Sequence, residues 1–313
     1  MKKYIVLSLY CCSYFLDASI AQENKKYREH IKNLLSQENH QIGHFLRTIT
    51  TIGCGDVDDI PKVQGAGEIF ESPDGTQYQL MHNGIKMLRD CYYDDGSTWM
   101  TWIIHALKGH HEPQEEKLFY EVLKHIPADA TMLELGAYWA YYSLWFAQTI
   151  PDAHNYIIEP DQQRLQIGKN NFALNEKSAN FFHGYVGMKG NDTIAGGDNA
   201  PLISIDAFLH EQNIKHLHIL HADVQGAEYA MLLTCEEALH KNKIDFFFIS
   251  THSAYLHHQC LRFFEKHNFH VIAEHTMAES FSCDGLIVAK RKDVAGPDRV
   301  EISKRNFGPE ILI

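Results

Sequence analysis

Thr131-Met132-Leu133-Glu134-Leu135-Gly136-Ala137-Tyr138 reads as a short apolar strand that runs into a glycine turn, with helical periodicity resuming over residues 141–149. The same unit recurs downstream. Asn155 to Ile158 ends at Glu159-Pro160-Asp161, His216 to Leu220 ends at His221-Ala222-Asp223, and Ile244 to Ile249 ends at Ser250-Thr251-His252. Helices are predicted between these strands over 161–174, 226–240 and 254–267, with a further strand over 179–187 and a hairpin-like closing pair, 269–276 and 281–290. Short apolar strands alternating with helices predict an α/β, Rossmann-like doubly wound sheet, mostly parallel, with an antiparallel terminal strand.

Upstream the pattern changes. Residues 22–60 are polar and helical in tendency, 53–67 read as a Gly/Asp/Pro-rich linker or turn region, and 96–107 and 114–126 read as helices. Glu68 to Glu71 and Gln77 to Met81 flank Ser72-Pro73-Asp74-Gly75-Thr76, the signature of a hairpin. The expected organisation is therefore an apolar segment at 1–21, an N-terminal helix and hairpin extension at 22–105, the α/β domain at 106–292, and a tail at 293–313.

The first segment has the outline of a secretory signal: Lys2 and Lys3, an apolar run from Tyr4 to Leu16, then Ser19-Ile20-Ala21. The run is too short to span a bilayer. Asp17 interrupts the pattern, and a buried strand or frayed terminus is the competing reading, so the expected compartment is the cytoplasm.

Composition narrows the partners. A chain of 313 residues, 45% of them hydrophobic, can bury one large domain and a smaller element. The 28 Lys and Arg against 40 Asp and Glu give a formal charge of −12, which repels phosphate backbones and argues against nucleic acid. Seven scattered cysteines fit neither a disulfide framework nor a cysteine zinc site, as in a reduced intracellular protein. Nothing in the pattern defines an oligomeric state.

In doubly wound sheets ligands bind at the carboxyl ends of the strands. Gly136 permits a tight turn and close backbone approach there, and Glu159, about 20 residues on, stands where an acid accepts from ribose hydroxyls. Those features suit any adenosine-containing cofactor. A dinucleotide fingerprint would need G-x-G-x-x-G, whereas Gly136 is followed by Ala137, Tyr138, Trp139 and Ala140, which would crowd a pyrophosphate.

Residues 106–292 resemble the FkbM-type methyltransferases, class I enzymes that use S-adenosylmethionine and are usually linked to O-methylation. The resemblance is carried by Glu112-Pro113, Glu134-Leu135-Gly136-Ala137, Glu159-Pro160-Asp161, the asparagines Asn171 and Asn175, and above all Asp223-Val224-Gln225-Gly226-Ala227-Glu228, followed by Asp284-Gly285 before the last strand. Tyr138 replaces the usual asparagine, Ala140 the usual glycine and Gln225 the usual glutamate.

The resemblance implies a cofactor site built from Glu112, Glu134, Gly136, Ala137, Tyr138, Glu159 and Pro160. It also implies an O-methyltransferase acting on a sugar, glycan or secondary-metabolite hydroxyl. Asp223, Glu228 and His252 are the candidate catalytic residues, because a base must lie within hydrogen-bond reach of the acceptor hydroxyl. The same three could instead hold magnesium or manganese, which suit oxygen-rich ligands with one imidazole. Simpler readings compete: Asp223 as a helix N-cap, Glu228 as a first-turn acid, and Glu112 with His110 and His111 as a solvated helix start. The aromatic run Tyr138, Trp139, Tyr141, Tyr142 and Trp145 is expected to pack in the core, Tyr138 excepted. A noncatalytic cofactor-binding or scaffold protein on the same fold, motivated by Tyr138 and Ala140, and a dinucleotide-dependent oxidoreductase are the rival functions.

Overall fold

A computed structural model describes residues 43–92, 99–188 and 200–305. The expectations for the segment 1–21, for 22–42, for 96–98 and for the end of the tail, 306–313, lie outside the described residues. The chain divides into two compact units, Met1–Leu46 and Arg47–Ile313, and every strand named below belongs to the second.

The second unit begins with a helical stretch over 47–52. A small antiparallel sheet follows: β1 (Ile69–Glu71), β2 (Gln77–Leu80) and β3 (Lys86–Leu88). Next come α1 (Trp99–Ala106), α2 (Pro113–Leu123), β4 (Thr131–Leu135), α3 (Tyr141–Thr149), β5 (His154–Glu159), α4 (Gln162–Leu174) and β6 (Asn180–His183). The chain continues through β7 (Tyr185–Val186), β8 (Leu202–Ile203), α5 (Ile205–Glu211), β9 (Leu217–Ala222), α6 (Glu228–Leu232), α7 (Glu236–His240), β10 (Ile244–Thr251), α8 (Ala254–Lys266), β11 (Phe269–His275) and β12 (Gly285–Arg291).

Seven strands form one sheet in the order β11-β12-β10-β9-β4-β5-β6. β4, β5, β6, β9 and β10 pair in parallel, while β12 inserts antiparallel between β10 and β11. The expected mostly parallel sheet is present, and its antiparallel strand is the last in the chain but not the edge of the sheet.

The sheet is buried on both faces. Along β10, Phe246 and Phe248 enter one apolar cluster while Phe247 and Ile249 enter the other, as a period of two requires. Each such side chain contributes about 1.5–3 kcal/mol when fully buried. β4 divides likewise, with Met132 on one side and Leu133 and Leu135 on the other. In register, Leu135 lies opposite Ile158 and Ala222, and Ala222 opposite Ile249, so four strand ends finish on one edge.

Three local expectations change. The strand expected over 179–187 breaks at Gly184, where a Cβ would lie 2.4 Å from Ile203 Cδ1; β6 stays in the main sheet and β7 pairs with β8. The helix expected over 226–240 is split by a 3-10 turn at Leu233–Cys235. Of the two readings for residues 53–67 the structure has the turns, and since Cys54, Val57 and Ile60 are buried the stretch is not a free linker.

The hairpin gains a third strand, β3, which the sequence did not suggest. Two asparagines one turn apart on α4 hold it. Asn175 Oδ1 accepts from Lys86 N (2.8 Å) and its Nδ2 donates to Lys86 O (2.7 Å), while Asn171 Oδ1 accepts from Leu88 N (3.0 Å). Asn171 Nδ2 also donates to Trp139 O (3.0 Å), so one buried amide ties the hairpin to the loop after β4.

Candidate active site

A cavity of about 630 Å³ opens where β4, β5 and β9 end, a volume ordinary for a small-molecule site. One end is shaped by backbone. Gly136 has φ +70, and a Cβ there would lie 1.8 Å from Asp223 O, so the loop after β4 crosses the loop after β9 at a distance only glycine allows. Gly136 N donates to Ile158 O (2.9 Å) and Asp223 N to Leu135 O (3.0 Å), which fixes the crossing.

Tyr138 and Ala140 follow with φ +47 and +60. These left-handed positions are where asparagine or glycine sits at least cost. The two departures from the family pattern therefore keep the backbone path without the residues that best fit it.

Glu159 lies across this loop. Tyr138 N donates to its Oε2 and Asp161 N to its Oε1, each at 3.0 Å. A carboxylate has about four acceptor positions, so each oxygen keeps one toward the cavity. Burial pushes this carboxyl up, and the two amide hydrogen bonds oppose the shift. Asp161 caps α4 by accepting from Gln163 N (2.8 Å) and Arg164 N (2.9 Å), and the Arg164 guanidinium lies 4.7 Å over the Tyr138 ring. Pro160 also lines the cavity, and its carbonyl accepts from His183 Nε2 (2.9 Å).

Glu134 and Ala137 lie behind this wall. Glu134 is buried and its Oε2 accepts from Ser143 N (2.9 Å), fastening the first turn of α3 to β4. Ala137 is buried beside it. Neither lines the cavity.

The other end is made of charged side chains. Asp223 follows β9, Glu228 opens α6, and His252 follows β10. His252 Nδ1 contacts Glu228 Oε1 closely, and its Nε2 stands 3.2 Å from Asp223 Oδ1 and 3.4 Å from Asp284 Oδ1. The structure thus brings the three sequence candidates together and adds Asp284, from the turn before β12. Asp223 and Asp284 line the cavity, while Glu228 is fully buried and its Oε1 also accepts from Gly226 N (2.8 Å).

Burial opposes a charge on His252, but Asp223 and Glu228 overcome it and raise the imidazole to about 10. Asp284 is raised to about 7 by burial and then by the charge of Asp223. Burial works against the Asp223 carboxylate too, yet His252 holds it below its usual range. Asp223, His252 and Asp284 are close enough to share an ion.

Glu112 lines the cavity between the two ends, paired with Arg47 Nη2 (3.3 Å) and accepting from Tyr142 OH (3.3 Å). Arg47 Nη1 also donates to Cys283 Sγ (2.7 Å). The segment before α2 is not a solvated acidic start: His110, His111, Glu115 and Glu116 are all buried, and none lines the cavity. Tyr141, Tyr142 and Trp145 are buried as expected, while Tyr138 faces the cavity. Among the residues at the cavity, sequence reasoning had no role for Arg47, and it noted Asp284 only in the Asp284-Gly285 pair that carries part of the family resemblance.

Residues 121–271 match the family model described as the methyltransferase FkbM domain. Over this stretch, just under half of its length, the chain is similar to the FkbM-type methyltransferases. The stretch contains the strand ends that carry Glu134, Gly136, Glu159, Asp223 and His252, with Asp284 just beyond it. No curated protein sequence matches the chain.

Among solved structures the methyltransferase is similar to TrmK of M. capricolum in complex with S-adenosyl-homocysteine, at 16% identity and a TM-score of 0.37 over 59% of this chain and 71% of that one. It is also similar to the precorrin-6y C5,15-methyltransferase of Geobacter metallireducens, at 11% identity and 0.39 over 56% and 87%. An rRNA methylase of Streptococcus thermophilus matches at 8% identity and 0.40 over 56% and 93%. No helix among the described residues is long and apolar enough to cross a membrane.

Proposed function

We propose that this methyltransferase uses S-adenosylmethionine to methylate a hydroxyl of a sugar, glycan or secondary metabolite. The observation that carries the reading is the continuity of the cavity, which joins a carboxylate with free acceptor positions, Glu159, to a carboxylate pair, Asp223 and Asp284. S-adenosylmethionine, when bound, supplies an electrophilic methyl group on a sulfonium. Glu159 would take the ribose hydroxyls, the Gly136–Tyr138 loop would lie along the cofactor, and Tyr138 with Arg164 would wall its adenosine end. Glu112 faces the span between the two ends.

At the far end an acceptor hydroxyl between Asp223 and Asp284 would lose its proton to that pair as its oxygen takes the methyl group and the sulfonium leaves as a neutral thioether. Asp284 is the partner able to keep a proton near neutral pH, because Asp223 is held ionised by His252. His252, charged, is then not the base. It positions Asp223, and Glu228 positions it in turn, as a base is oriented by a third group in other acid–base sites. Aligning the hydroxyl with the methyl group supplies much of the rate.

The reading requires neither magnesium nor manganese, because the charged His252 already offsets the carboxylates that such an ion would screen. Adding magnesium or manganese is expected to leave the rate unchanged. The charge of −12 favours a small polyhydroxylated acceptor over RNA, although some of the similar structures are named as tRNA or rRNA methylases. We place the reaction in the cytoplasm, where the methyl donor is made.

Calorimetric titration with S-adenosylhomocysteine tests the donor half. Micromolar binding is expected, weakened on the order of 100-fold by Glu159→Ala, which removes two charge-assisted hydrogen bonds, and kept by Asp223→Ala. A folded wild-type chain that does not bind would overturn the methyltransferase reading. Binding without methyl transfer to any of a panel of sugars and metabolites would turn it toward a noncatalytic role.

A further inference from the structure

Away from the cavity the structure gathers a second set of metal-type ligands. His82 follows β2, His110 lies in the loop between α1 and α2, Glu116 is in the first turn of α2, and Tyr141 opens α3. All four are at most 2% exposed. The backbone is built to bring them together. Gly109, at φ +91, accepts from His82 N at its carbonyl (3.1 Å), and a Cβ on it would lie 2.1 Å from that nitrogen. Only a glycine lets the hairpin and the α1–α2 loop meet at that point.

The side chains that meet there pair with one another except at one buried nitrogen. The His82 and His110 rings stack at 4.0 Å, 16° from parallel. His110 Nδ1 contacts Glu116 Oε2, but His110 Nε2 is buried with no partner, a deficit that costs about 1–3 kcal/mol. Tyr141 Oη stands 3.1 Å from His82 Nδ1 and 3.5 Å from Glu116 Oε2. Ligands held about 2.0–2.1 Å from a tetrahedral zinc ion are separated from one another by about 3.3 Å. One ligand atom each from His82, His110 and Glu116 lies within 4.8 Å of the others. Glu116 Oε1 accepts from His111 N (2.7 Å) and Glu112 N (3.1 Å), so the carboxylate is oriented from behind, as metal ligands usually are.

Two other histidine and carboxylate groupings among the described residues differ. In the His216, His218 and Asp245 group, His218 Nδ1 already accepts from Thr131 N (3.0 Å) and Asp245 is paired with Arg291 (3.0 Å). The Asp223, His252 and Asp284 group belongs to the reaction centre.

We propose that His82, His110 and Glu116, with Tyr141 in the fourth position, bind a structural zinc ion that clasps the N-terminal hairpin to the methyltransferase core. Two imidazoles and a carboxylate are a donor set that suits zinc. With no open position and no contact with the cavity, the ion would act on folding and not on methyl transfer.

The test is the metal content of the full-length chain, purified without a polyhistidine tag or chelator and dialysed against buffer after exposure to zinc. About one zinc per chain is expected. His82→Ala is expected to lower that content at least tenfold, whereas His216→Ala/His218→Ala and His252→Gln leave it in place. Should His82→Ala not fold, the wild-type chain refolded with cobalt(II) gives an independent reading, since tetrahedral cobalt on this donor set absorbs in the visible. A folded wild type with under about 0.1 zinc per chain, or zinc that survives His82→Ala and disappears with His252→Gln, would overturn the proposal, as would a cobalt-refolded chain with no visible band.

Discussion

The two ends of the cavity are built by opposite means. At the end proposed for the donor the chain does the work with backbone: Gly136 at φ +70 against Asp223 O, Tyr138 N and Asp161 N on Glu159, and the capped start of α4. At the end proposed for the acceptor four side chains set the geometry mainly by their mutual charges: His252 among Glu228, Asp223 and Asp284. A wall made of amides and turns has no proton to gain or lose near neutral pH, but it fails when a side chain is added where none fits. A wall made of charges tolerates volume changes and fails when one charge is removed. The donor end should therefore break sterically and the acceptor end electrostatically.

The largest effect is expected at the crossing point that both ends share. Gly136→Ala puts a Cβ 1.8 Å from Asp223 O, backbone against backbone, in a conformation that side chains rarely adopt. Neither strand end can yield without leaving the sheet, so a loss of about 4 kcal/mol or more in unfolding free energy is expected. Donor binding should be lost with it. Denaturant unfolding and titration with S-adenosylhomocysteine measure the two. A variant as stable as wild type that still bound the donor would mean the loops do not cross as described.

His252→Gln tests the acceptor end alone. The change keeps a polar side chain of similar reach and removes the charge, so the rate of methyl transfer is expected to fall on the order of 100-fold while donor affinity stays within about threefold. The pH profile separates charge from packing. In the wild type the rate should rise as Asp284 loses its proton at about 7 and fall as His252 loses its own at about 10, and the variant should lack the upper limb.

Stability carries the same signature with its own sign. The folded value of His252 lies above its ordinary 6.5, so its stabilisation is complete below that pH and is lost as pH rises through about 10. Asp284 sits above its ordinary 3.8, so its cost grows as pH rises from there to about 7 and is constant beyond. Wild-type melting temperature should fall across both windows, and His252→Gln should flatten the upper one. A variant with an unchanged alkaline limb in both measurements would mean that His252 is not the charge that organises the acceptor end.

How much of this could be read in the sequence follows the same division. The sheet was legible because β4, β5, β9 and β10 each carry clustered apolar residues and are each followed by a helix. Glu159 was legible by its distance from Gly136 in the chain. Asp284 joins the acceptor cluster only because β12 inserts beside β10, and Arg47 reaches Glu112 across 65 residues. No local pattern encodes either approach. β3, β7 and β8 are two or three residues long, too short for periodicity to register. Asn171 and Asn175 were visible as a motif, but their task, holding β3, depends on a strand that was not. Tyr138 and Ala140 were visible as departures, and only the backbone shows why those positions matter.

The smallest effect is expected at those two positions, and it bears most directly on how the donor wall is made. Ala140 has φ +60, a conformation that costs an alanine about 1 kcal/mol relative to glycine. Its Cβ is buried, and it packs so closely that a Cβ added at Gly168 would lie 3.3 Å from it. Ala140→Gly removes the strain and that contact together, so the net change in stability should stay within about 1 kcal/mol of zero. Tyr138→Asn is different in kind. It eases the same strain at φ +47 and leaves the amide that donates to Glu159, but it removes the ring that Arg164 covers. Stability should hold or rise slightly, while affinity for S-adenosylhomocysteine falls severalfold through the lost aromatic wall. If Tyr138→Asn instead bound the donor more tightly, the ring would be an obstruction, and the Tyr138–Arg164 pair would have to be assigned to keeping the cavity closed when the donor is absent.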